Sequence, residues 1–478
     1  MRQGGVIYEI AERVRAVTAS GVGLMHQLVL ALELDRAIDR GVRLLKQHQP
    51  YHESDHVLSI AYNLLAGGSC LEDLELRRHD AQFLDMLGTR RLPDPTTAGD
   101  FCRRFETAEH VDSLQDAINE VRLRAWRVQP DEFFEHAIID ADGTFAETTA
   151  ECMEGSDLTY KGACGYSVLV VSLANTEEVL FLENHPGSRT SHEGAAARLD
   201  QSIKLVRAAG FRRVTLRGDT DFSQAAYLDG WANDGVEFVF GYDAKPNLTE
   251  IARALPDSAW ALLDRGNRYE IKTAPRTRPE NVRERIVRER ELHNLYLVAE
   301  HVAEFAYRPG ACRQDYRMVV VRKLITHEQG QKLLFPEHRY FFYITNKRDL
   351  AAKEVVEMAN KRCNQERLIE QLKNGVHAMS LPVNNLHGNW AYMVMAALAW
   401  NLSRWFGLIL PEAGRWEEQH AAEKREVLHM RFDTFIQAFM LVPAQVVKTG
   451  RRLVLKLLSW NPWQHVFFRG LDAVRLLT

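Results

Sequence analysis

The first 125 residues place apolar side chains at the spacing of helices. Apolar positions recur every three or four residues from His56 to Leu64, and Gly67 follows as a stop signal. Shorter segments of the same kind run from Leu71 to Arg78 and from Asp80 to Met86. The pattern therefore predicts short helices joined by tight turns at the start of the chain.

One of these predicted helices carries two adjacent arginines. Residues 93–97 provide a turn and a helix cap, and the helix that follows bears Arg103 and Arg104. Short helices with such turns are typical of helix-turn-helix proteins, which set a helix against DNA. A purely structural helical domain has the same pattern, so both interpretations stay open at this point.

From His136 onward the pattern changes to β-branched runs of strand length, with one helix predicted between Gly194 and Gly210. The predicted strands are residues 137–142, 166–173, 179–182, 213–219 and 236–241. Strands that alternate with helices favour an α/β fold, in which ligands gather beyond the carboxyl ends of the strands.

Residues 246–337 combine amphipathic β segments with arginine-rich stretches, which predicts a β-rich insertion. The predicted β segments are residues 258–261, 268–272 and 316–322. The sheet resumes at Tyr340, and a single helix is predicted from Leu350 to Asn374.

Beyond Pro382 the pattern is helical as far as Pro443, and the rest of the chain is basic and aromatic. The apolar stretch from Trp390 to Ser403 is shorter than the 18 or so residues that a membrane span requires. We interpret it as a buried helix and expect no membrane association.

Composition and charge narrow the class of protein. The chain has 478 residues, of which 46% are hydrophobic and 26% charged, as in soluble proteins of roughly three domains. The net charge is -4, yet residues 265–323 carry 14 Lys and Arg against 8 Asp and Glu. Residues 441–478 carry 6 Lys and Arg against 1 Asp. These segments are candidate surfaces for a polyanion, although solvated charged faces have the same composition. No export signal is present at the start, so we expect a cytoplasmic protein.

Three carboxylates stand where a metal ion could be held. Asp142 and Asp219 are predicted at the ends of strands, with Asp140 and Asp221 as second choices, and Glu366 lies in a predicted helix. Magnesium prefers oxygen ligands, and two ions about 3.5 to 4 Å apart can activate a water or a 3′-hydroxyl in phosphoryl transfer. A solvated strand end or a turn cap is the alternative for each aspartate taken singly.

The predicted helix around Glu366 has a charged stripe. Arg362, Glu366, Glu370 and Lys373 fall on one face of a continuous helix. A ladder of exposed ion pairs explains this arrangement equally well. The other interpretation is a metal-binding carboxylate flanked by two cations for DNA phosphates.

Several motifs together resemble insertion-sequence transposases of the Asp-Asp-Glu type, most nearly the insertion-sequence 1380 family. They are LLAGGSCLEDL at 64–74, PDPTTAGDF at 93–101, DADGT at 140–144, LRGD at 216–219 and NQERLIEQLKN at 364–374. Relatives of this kind carry a Tyr, Arg, Glu, Lys signature with two, three and six residues between successive members. Arg362, Glu366 and Lys373 match that spacing, whereas the Tyr position is occupied by Ala359.

The resemblance implies an α/β fold with a ribonuclease-H-like catalytic core, a β-rich insertion, and helical domains at both ends. It implies a helical DNA-binding domain at 1–125, core segments at 126–245 and 338–380, the insertion at 246–337, and a helical DNA-binding or dimerisation region at 381–478. In this arrangement Asp142, Asp219 and Glu366 would hold two Mg²⁺ ions, for which Mn²⁺ would substitute.

By the same resemblance Arg362 and Lys373 would grip the transposon-end backbone, and Arg103 and Arg104 are further candidate DNA contacts. The implied reaction is metal-dependent cleavage at the element ends, followed by attack of the freed 3′-hydroxyl on target DNA. The implied partners are double-stranded DNA, as terminal inverted repeats and target, and a second copy of the chain on that DNA. The expected location is the cytoplasm, at the nucleoid. A transposase-derived DNA-binding protein that no longer cuts and a nuclease without sequence preference are the alternatives.

Overall fold

The structure is a computed structural model that describes residues 10, 14–159, 162–190, 192–264, 280–329, 332–450, 452–458 and 461–477. The chain divides into two compact units. Unit 1 consists of Met1–Ala137, Asp142–Arg212 and Asn364–Thr478, and unit 2 consists of Ile138–Ala141 and Arg213–Cys363.

Helices make up much of the described chain. The α-helices are α1 Gly21–Ala31, α2 Leu34–Gly41, α3 Glu53–Leu65, α4 Leu74–Arg78, α5 Ala81–Met86, α6 Pro95–Arg103, α7 Ala108–Trp126, α8 Ala195–Ala209, α9 Ala225–Asn233, α10 Pro246–Ala254, α11 Val282–Glu289, α12 Ala352–Asn360, α13 Cys363–Glu370, α14 Leu386–Ile409, α15 Glu417–Leu428, α16 Phe432–Phe435 and α17 Gln464–Leu476. Short 3₁₀ turns span Leu71–Asp73, Asp131–Phe134, Thr220–Phe222 and Asp257–Ala259, and π-helical turns span Gln371–Gly375 and Ile436–Met440.

The strands are β1 Ala16–Val17, β2 His136–Glu147, β3 Asp157–Leu158, β4 Cys164–Leu173, β5 Glu178–Pro186, β6 Arg213–Gly218, β7 Glu237–Tyr242, β8 Ala261–Leu262, β9 His293–Tyr307, β10 Tyr316–Gln329, β11 Lys332–Thr345, β12 Ala444–Thr449 and β13 Arg452–Leu457. Together with the helices they form a mixed α/β fold with a large sheet, as the alternation of patterns predicts.

The predicted helices at the start of unit 1 are confirmed. Helix α3 ends at Leu65, and Gly67 adopts a positive φ of 86°, a conformation that glycine takes without steric cost. Helix α6 begins at Pro95, where the Asp94 carboxylate accepts a hydrogen bond from the Thr97 backbone N–H at 2.9 Å. This cap satisfies one of the amide groups that a helix leaves unpaired at its start.

Helix α14 is the centre of the core of unit 1. Nearly every residue from Gly388 to Ile409 is buried, which confirms the interpretation of the apolar stretch as a buried helix. The helix packs against α3, α7, α15 and β5. In the part of the chain that the structure describes, no helix combines the length and apolarity needed to cross a membrane.

One buried carboxylate inside this core, that of Glu178, has several partners. The Glu178 carboxylate is fully buried and lies 3.0 Å from the Arg122 guanidinium. The indole N–H groups of Trp126 and Trp405 donate to the same carboxylate at 2.9 and 2.7 Å. Because a buried charge is costly without partners, this cluster ties α7, α14 and the start of β5 into one arrangement.

Unit 1 also contains two sets of antiparallel strands. Strand β4 pairs with β3 and β5, with a register shift between Val171 and Ser172 on β4. Strand β12 pairs with β1 and β13. The second set was not predicted, because β1 has two residues and its partners lie more than 400 residues away in the sequence.

Unit 2 is built on a sheet with the strand order β6-β7-β11-β10-β9-β8. Strands β6 and β7 are parallel and are connected through α9, and the remaining pairs are antiparallel. Helix α12 packs on this sheet, where Val355 and Val356 contact Val239, Val302, Val319 and Val321. The parallel pair places the carboxyl ends of β6 and β7 at one edge of the sheet.

The segment predicted as a β-rich insertion is more mixed than its pattern indicated. It contains helices α10 and α11 besides the long strands β9 and β10, and β11 continues from Lys332 to Thr345 without a break at Tyr340. The predicted strand at 258–261 is wrong for its first three residues, because Asp257–Ala259 form a 3₁₀ turn after Pro256 and strand β8 begins at Ala261. The predicted strand at 268–272 lies outside the described residues.

Candidate active site

Asp219 directly follows strand β6 in unit 2. Its carboxylate accepts a hydrogen bond from the Asp221 backbone N–H at 3.0 Å and caps the 3₁₀ turn Thr220–Phe222. A β-carbon added at Gly218 would lie 2.7 Å from the Phe222 Cβ, so the turn needs glycine at that position. The predicted position of Asp219 at a strand end is confirmed, and this turn presents its half-buried side chain at the sheet edge.

A cavity of about 350 Å³ lies beside Asp219. Asp243, Tyr340 and Arg362 are among the residues that line it together with Asp219. Burial raises the pKa of Asp219, and the positive charge of Arg362 opposes that shift. The cavity therefore joins two carboxylates, a guanidinium and aromatic side chains in one open pocket of unit 2.

Asp140 has a different environment from that of Asp219. Its two carboxylate oxygens accept hydrogen bonds from the Nε and Nη2 groups of Arg217, each at 2.7 Å. Both side chains are buried, and Arg217 also donates to the Met358 carbonyl at 3.1 Å. Burial raises the pKa of Asp140, while Arg217 and Arg362 oppose the shift. Asp140 is thus one half of a buried ion pair within unit 2.

Asp142 belongs to unit 1, and its side chain is 9% exposed. One carboxylate oxygen accepts a hydrogen bond from the Gly143 backbone N–H at 2.8 Å. The sequence predicted that this strand ends at Asp142. That prediction is wrong, because strand β2 continues to Glu147. The β-forming residues Thr144 and Phe145 prolong the strand through the glycine, so Asp142 lies within a strand and not in a turn.

Glu366 is exposed on helix α13 in unit 1. The helix is fastened at Arg367, which donates to the His429 carbonyl. The π-helical turn that follows is fastened separately at Gln371, whose side-chain oxygen accepts from the N–H of Phe432, the first residue of α16, at 2.8 Å. Leu368 and Leu372 are buried on its inner side. The helix therefore holds Glu366 toward solvent on a well-packed base.

The single charged helix predicted from Leu350 to Asn374 is wrong. Helix α12 ends at Asn360, and the Arg362 N–H bonds to the carbonyl three residues back, at Ala359, which closes a tight turn. Helix α13 begins only at Cys363, and the π-helical turn Gln371–Gly375 includes Lys373. Asn and Cys flank the break and are weak helix formers. Arg362, Glu366, Glu370 and Lys373 accordingly do not form one stripe on a continuous helix.

The remaining predicted cations have defined surroundings. Lys373 is partly buried, and burial lowers its pKa. Arg103 and Arg104 are exposed at the end of α6. Arg103 contacts the Asp100 carboxylate at 2.8 Å and donates to the Asn384 side chain at 3.3 Å. One of the two arginines is therefore engaged within unit 1.

Sequence reasoning missed the role of Arg217. The pattern placed Arg217 in a strand, but the burial of its side chain and the position of its anionic partner, Asp140, follow from the tertiary structure. Within the described ranges, no group of three or more His, Cys, Asp and Glu side chains is gathered closely enough to hold a metal ion.

The chain has a mixed α/β fold with a large sheet, and Asp219 lies beside an open cavity in unit 2. The chain belongs to the family described as Transposase DDE domain group 1, whose profile matches residues 14–478. It is therefore a DNA transposase of the DDE type, an enzyme that cleaves DNA and transfers strands, and enzymes of this type generally use divalent metal ions.

Other comparisons are distant. No curated protein matches the chain. Among solved structures, the piggyBac transposase synaptic complex with hairpin DNA is similar, with 10% sequence identity and a TM-score of 0.39. The similarity covers 88% of this chain and 79% of the piggyBac chain.

Proposed function

We propose that Asp142, Asp219 and Glu366 together hold two Mg²⁺ ions and catalyse cleavage at insertion-sequence ends and strand transfer into target DNA. The observation that carries this proposal is the position of Asp219 beside an open polar cavity in a chain that matches a DDE family almost end to end. The surroundings of the other acids favour the same set. Asp140 forms an ion pair with Arg217, and the Asp221 backbone N–H donates a hydrogen bond to the Asp219 carboxylate.

The donor set suits hard divalent cations. All three side chains offer carboxylate oxygens, which Mg²⁺ and Mn²⁺ prefer over softer ligands. The ions would stabilise negative charge on the attacking and leaving oxygens of the phosphodiester. Asp219 has to be ionised for this role, and the Arg362 guanidinium favours the ionised form against the effect of burial.

The two cations of the signature would act on the DNA backbone. Arg362 lines the cavity with Asp219, so its guanidinium can contact phosphate oxygens next to that carboxylate. Lys373 is partly buried with a lowered pKa, and a phosphate neighbour would favour its charged form. We propose that Arg362 and Lys373 contact the DNA backbone at the transposon end. Arg103 and Arg104 would be further DNA contacts, made from the N-terminal helices.

The chemistry proceeds in two displacement steps. Water attacks a phosphorus at the element end, and the bond to the 3′-oxygen breaks to leave a 3′-hydroxyl. That hydroxyl then attacks a phosphorus of target DNA, so that one phosphodiester bond forms as another breaks. Neither step needs a covalent bond between the enzyme and the DNA.

We further propose a finer classification of the fold, family and domains, and the assembly of two protein copies on DNA. The core is ribonuclease-H-like, and the chain is a member of the insertion-sequence 1380 family. The domains are the DNA-binding segment 1–125, the core at 126–245 and 338–380, the insertion 246–337 and the C-terminal region 381–478. Two copies act together on double-stranded DNA carrying the terminal inverted repeats, in the cytoplasm at the nucleoid. The parallel pair β6–β7 with α9 and α12 supports an α/β core.

A cleavage assay with purified full-length protein tests the site. The substrate is labelled duplex DNA from both flanks of the protein's own gene, incubated with Mg²⁺. We expect cutting by the wild type and by Asp221→Asn, and none by Asp142→Asn, Asp219→Asn or Glu366→Gln, with DNA retention unchanged in all of them.

The other outcomes separate the alternatives. Cleavage that survives in any of the three variants refutes that residue's assignment. Retention without cutting by the wild type indicates a DNA-binding derivative of a transposase. Equal cutting of duplexes without inverted repeats indicates a nuclease without sequence preference.

A further inference from the structure

Gln365 precedes Glu366 on helix α13, and the two side chains have opposite environments. Gln365 is 2% exposed, whereas Glu366 is exposed to solvent. Successive residues of an α-helix are rotated by about 100°, so the direction of Gln365 determines the direction of Glu366.

Both ends of the Gln365 amide form hydrogen bonds with strand β4 in unit 1. Its oxygen accepts a hydrogen bond from the Ser172 hydroxyl, and its nitrogen donates to the Val170 carbonyl at 3.2 Å. Ser172 is itself 1% exposed and follows the register shift in the pairing of β4 with β5. The Ser172 hydroxyl donates and the Val170 carbonyl accepts, so the strand fixes both the position and the orientation of the Gln365 amide.

Apolar contacts already hold this helix in place. Leu368 and Leu372 lie on the same inner side as Gln365 and are buried. Such contacts are not directional, so they resist removal of the helix more than its rotation or sliding. Helix α13 has only eight residues before the π-helical turn Gln371–Gly375, so its own length does little to fix its orientation.

We propose that Gln365 is a positioning residue that sets the orientation of Glu366 for metal binding through its two hydrogen bonds to β4. This inference rests on the proposed role of Glu366 as a metal ligand. A leucine at position 365 would preserve the volume and the burial but would leave the Ser172 hydroxyl and the Val170 carbonyl without these partners.

Gln371 provides a matched control on the same helical segment. It is 1% exposed, and its side-chain oxygen accepts from the Phe432 N–H at 2.8 Å. Replacing it with leucine also removes a buried hydrogen bond, but it does so five residues beyond Glu366. If lower stability alone changes the Mg²⁺ dependence of cleavage, both variants should show the change. If the orientation of Glu366 is what matters, only the variant at Gln365 should show it.

The test compares Gln365→Leu, Gln371→Leu, Ser172→Ala and the Gln365→Leu/Ser172→Ala double variant in the full-length protein. The rate of cleavage of labelled gene-flanking duplex is measured over a range of Mg²⁺ concentrations. Retention of the duplex without metal and the thermal unfolding midpoint are measured in parallel.

Gln365→Leu should raise the half-saturating Mg²⁺ concentration about tenfold, the lower end of what loss of a residue supporting a metal ligand produces. Gln371→Leu should stay near the wild-type value. Ser172→Ala should shift the concentration in the same direction, and the double variant should match Gln365→Leu, because both changes remove one shared contact.

Equal shifts for the variants at Gln365 and Gln371, or a normal Mg²⁺ dependence in both Gln365→Leu and Ser172→Ala, would overturn the proposal. If Gln365→Leu does not fold, Ser172→Ala alone decides by the same criterion. Glu366→Gln separates the two hypotheses. If it still cuts, the proposed active site is wrong, and if it is inactive while Gln365→Leu binds Mg²⁺ normally, only the positioning role is wrong.

Discussion

Loss of Arg217 should destabilise unit 2 and leave Asp140 as a buried, unpaired acid. In the native protein two hydrogen bonds of 2.7 Å join these side chains, which are 3% and 1% exposed. Breaking a buried ion pair by removing one partner typically costs about 3 to 5 kcal/mol, because the remaining charge stays desolvated. We therefore expect Arg217→Met to lower the free energy of unfolding by an amount in that range.

The pH dependence of this penalty has a defined sign. Burial raises the pKa of Asp140, and Arg217 opposes the shift, so the pKa should rise further in Arg217→Met. An acid whose folded-state pKa is raised favours the folded state at low pH, and this contribution is lost as the pH rises through that pKa. The stability difference between wild type and Arg217→Met should thus grow from acidic to neutral pH.

Urea denaturation followed by circular dichroism measures the effect at several pH values. The double variant Asp140→Leu/Arg217→Met should recover most of the loss, since it leaves no unpaired charge. A loss below about 1 kcal/mol for Arg217→Met, as at a surface pair, would refute the reasoning. So would a double variant whose loss of free energy equals the sum of the losses in Arg217→Met and in Asp140→Leu alone.

Two single variants, Asp140→Asn and Asp142→Asn, test the choice between the two acids of strand β2. Asp140→Asn should retain Mg²⁺-dependent cleavage when the protein is folded, whereas Asp142→Asn should not. The opposite result, with both proteins folded and able to retain DNA, would transfer the catalytic role to Asp140.

Three further predictions concern other parts of the chain. Gly218→Ala should cost about 1 to 3 kcal/mol of stability and slow cleavage, because its β-carbon would press on Phe222 next to Asp219; normal melting and cleavage would count against this packing. Glu237 is partly buried, and hydrogen bonds from Lys347, Thr215 and Arg213 outweigh that burial and lower its pKa to about 2. The stability it adds should be present above about pH 4.5 and disappear as the pH falls toward 2, so acid titrations of wild type and Glu237→Gln should converge there; parallel curves would contradict it. Arg122→Met should lower the free energy of unfolding by about 3 to 5 kcal/mol in denaturant titrations, since it leaves the Glu178 carboxylate buried, and a loss within about 1 kcal/mol would exclude this account.

Local patterns were sufficient for much of the fold. Helix α3 with its glycine stop, helix α6 with its Asp94 cap and helix α14 all follow from residues within one segment. The three-stranded group of β1, β12 and β13 depends on pairing between distant segments, and short strands carry little periodicity. Long-range pairing of this kind is not encoded in any single window of sequence.

The candidate site likewise combines features that local sequence patterns predict with features that depend on the tertiary structure. The turn at Gly218 and Asp219 was predictable from a strand followed by small and acidic residues. The break at Arg362 was not, because charged spacing along residues 362–373 fits one helix as well as two, and only hydrogen bonding to Ala359 distinguishes them. The partnership of Arg217 with Asp140 required the tertiary structure, since 76 residues separate them in the sequence.

The most direct test of the central claim is the number of Mn²⁺ ions that the full-length protein binds on labelled gene-flanking duplex, counted by electron paramagnetic resonance. We predict two ions on the wild type, and fewer on each of Asp142→Asn, Asp219→Asn and Glu366→Gln with DNA retention unchanged. Wild-type occupancy in all three variants would contradict the account.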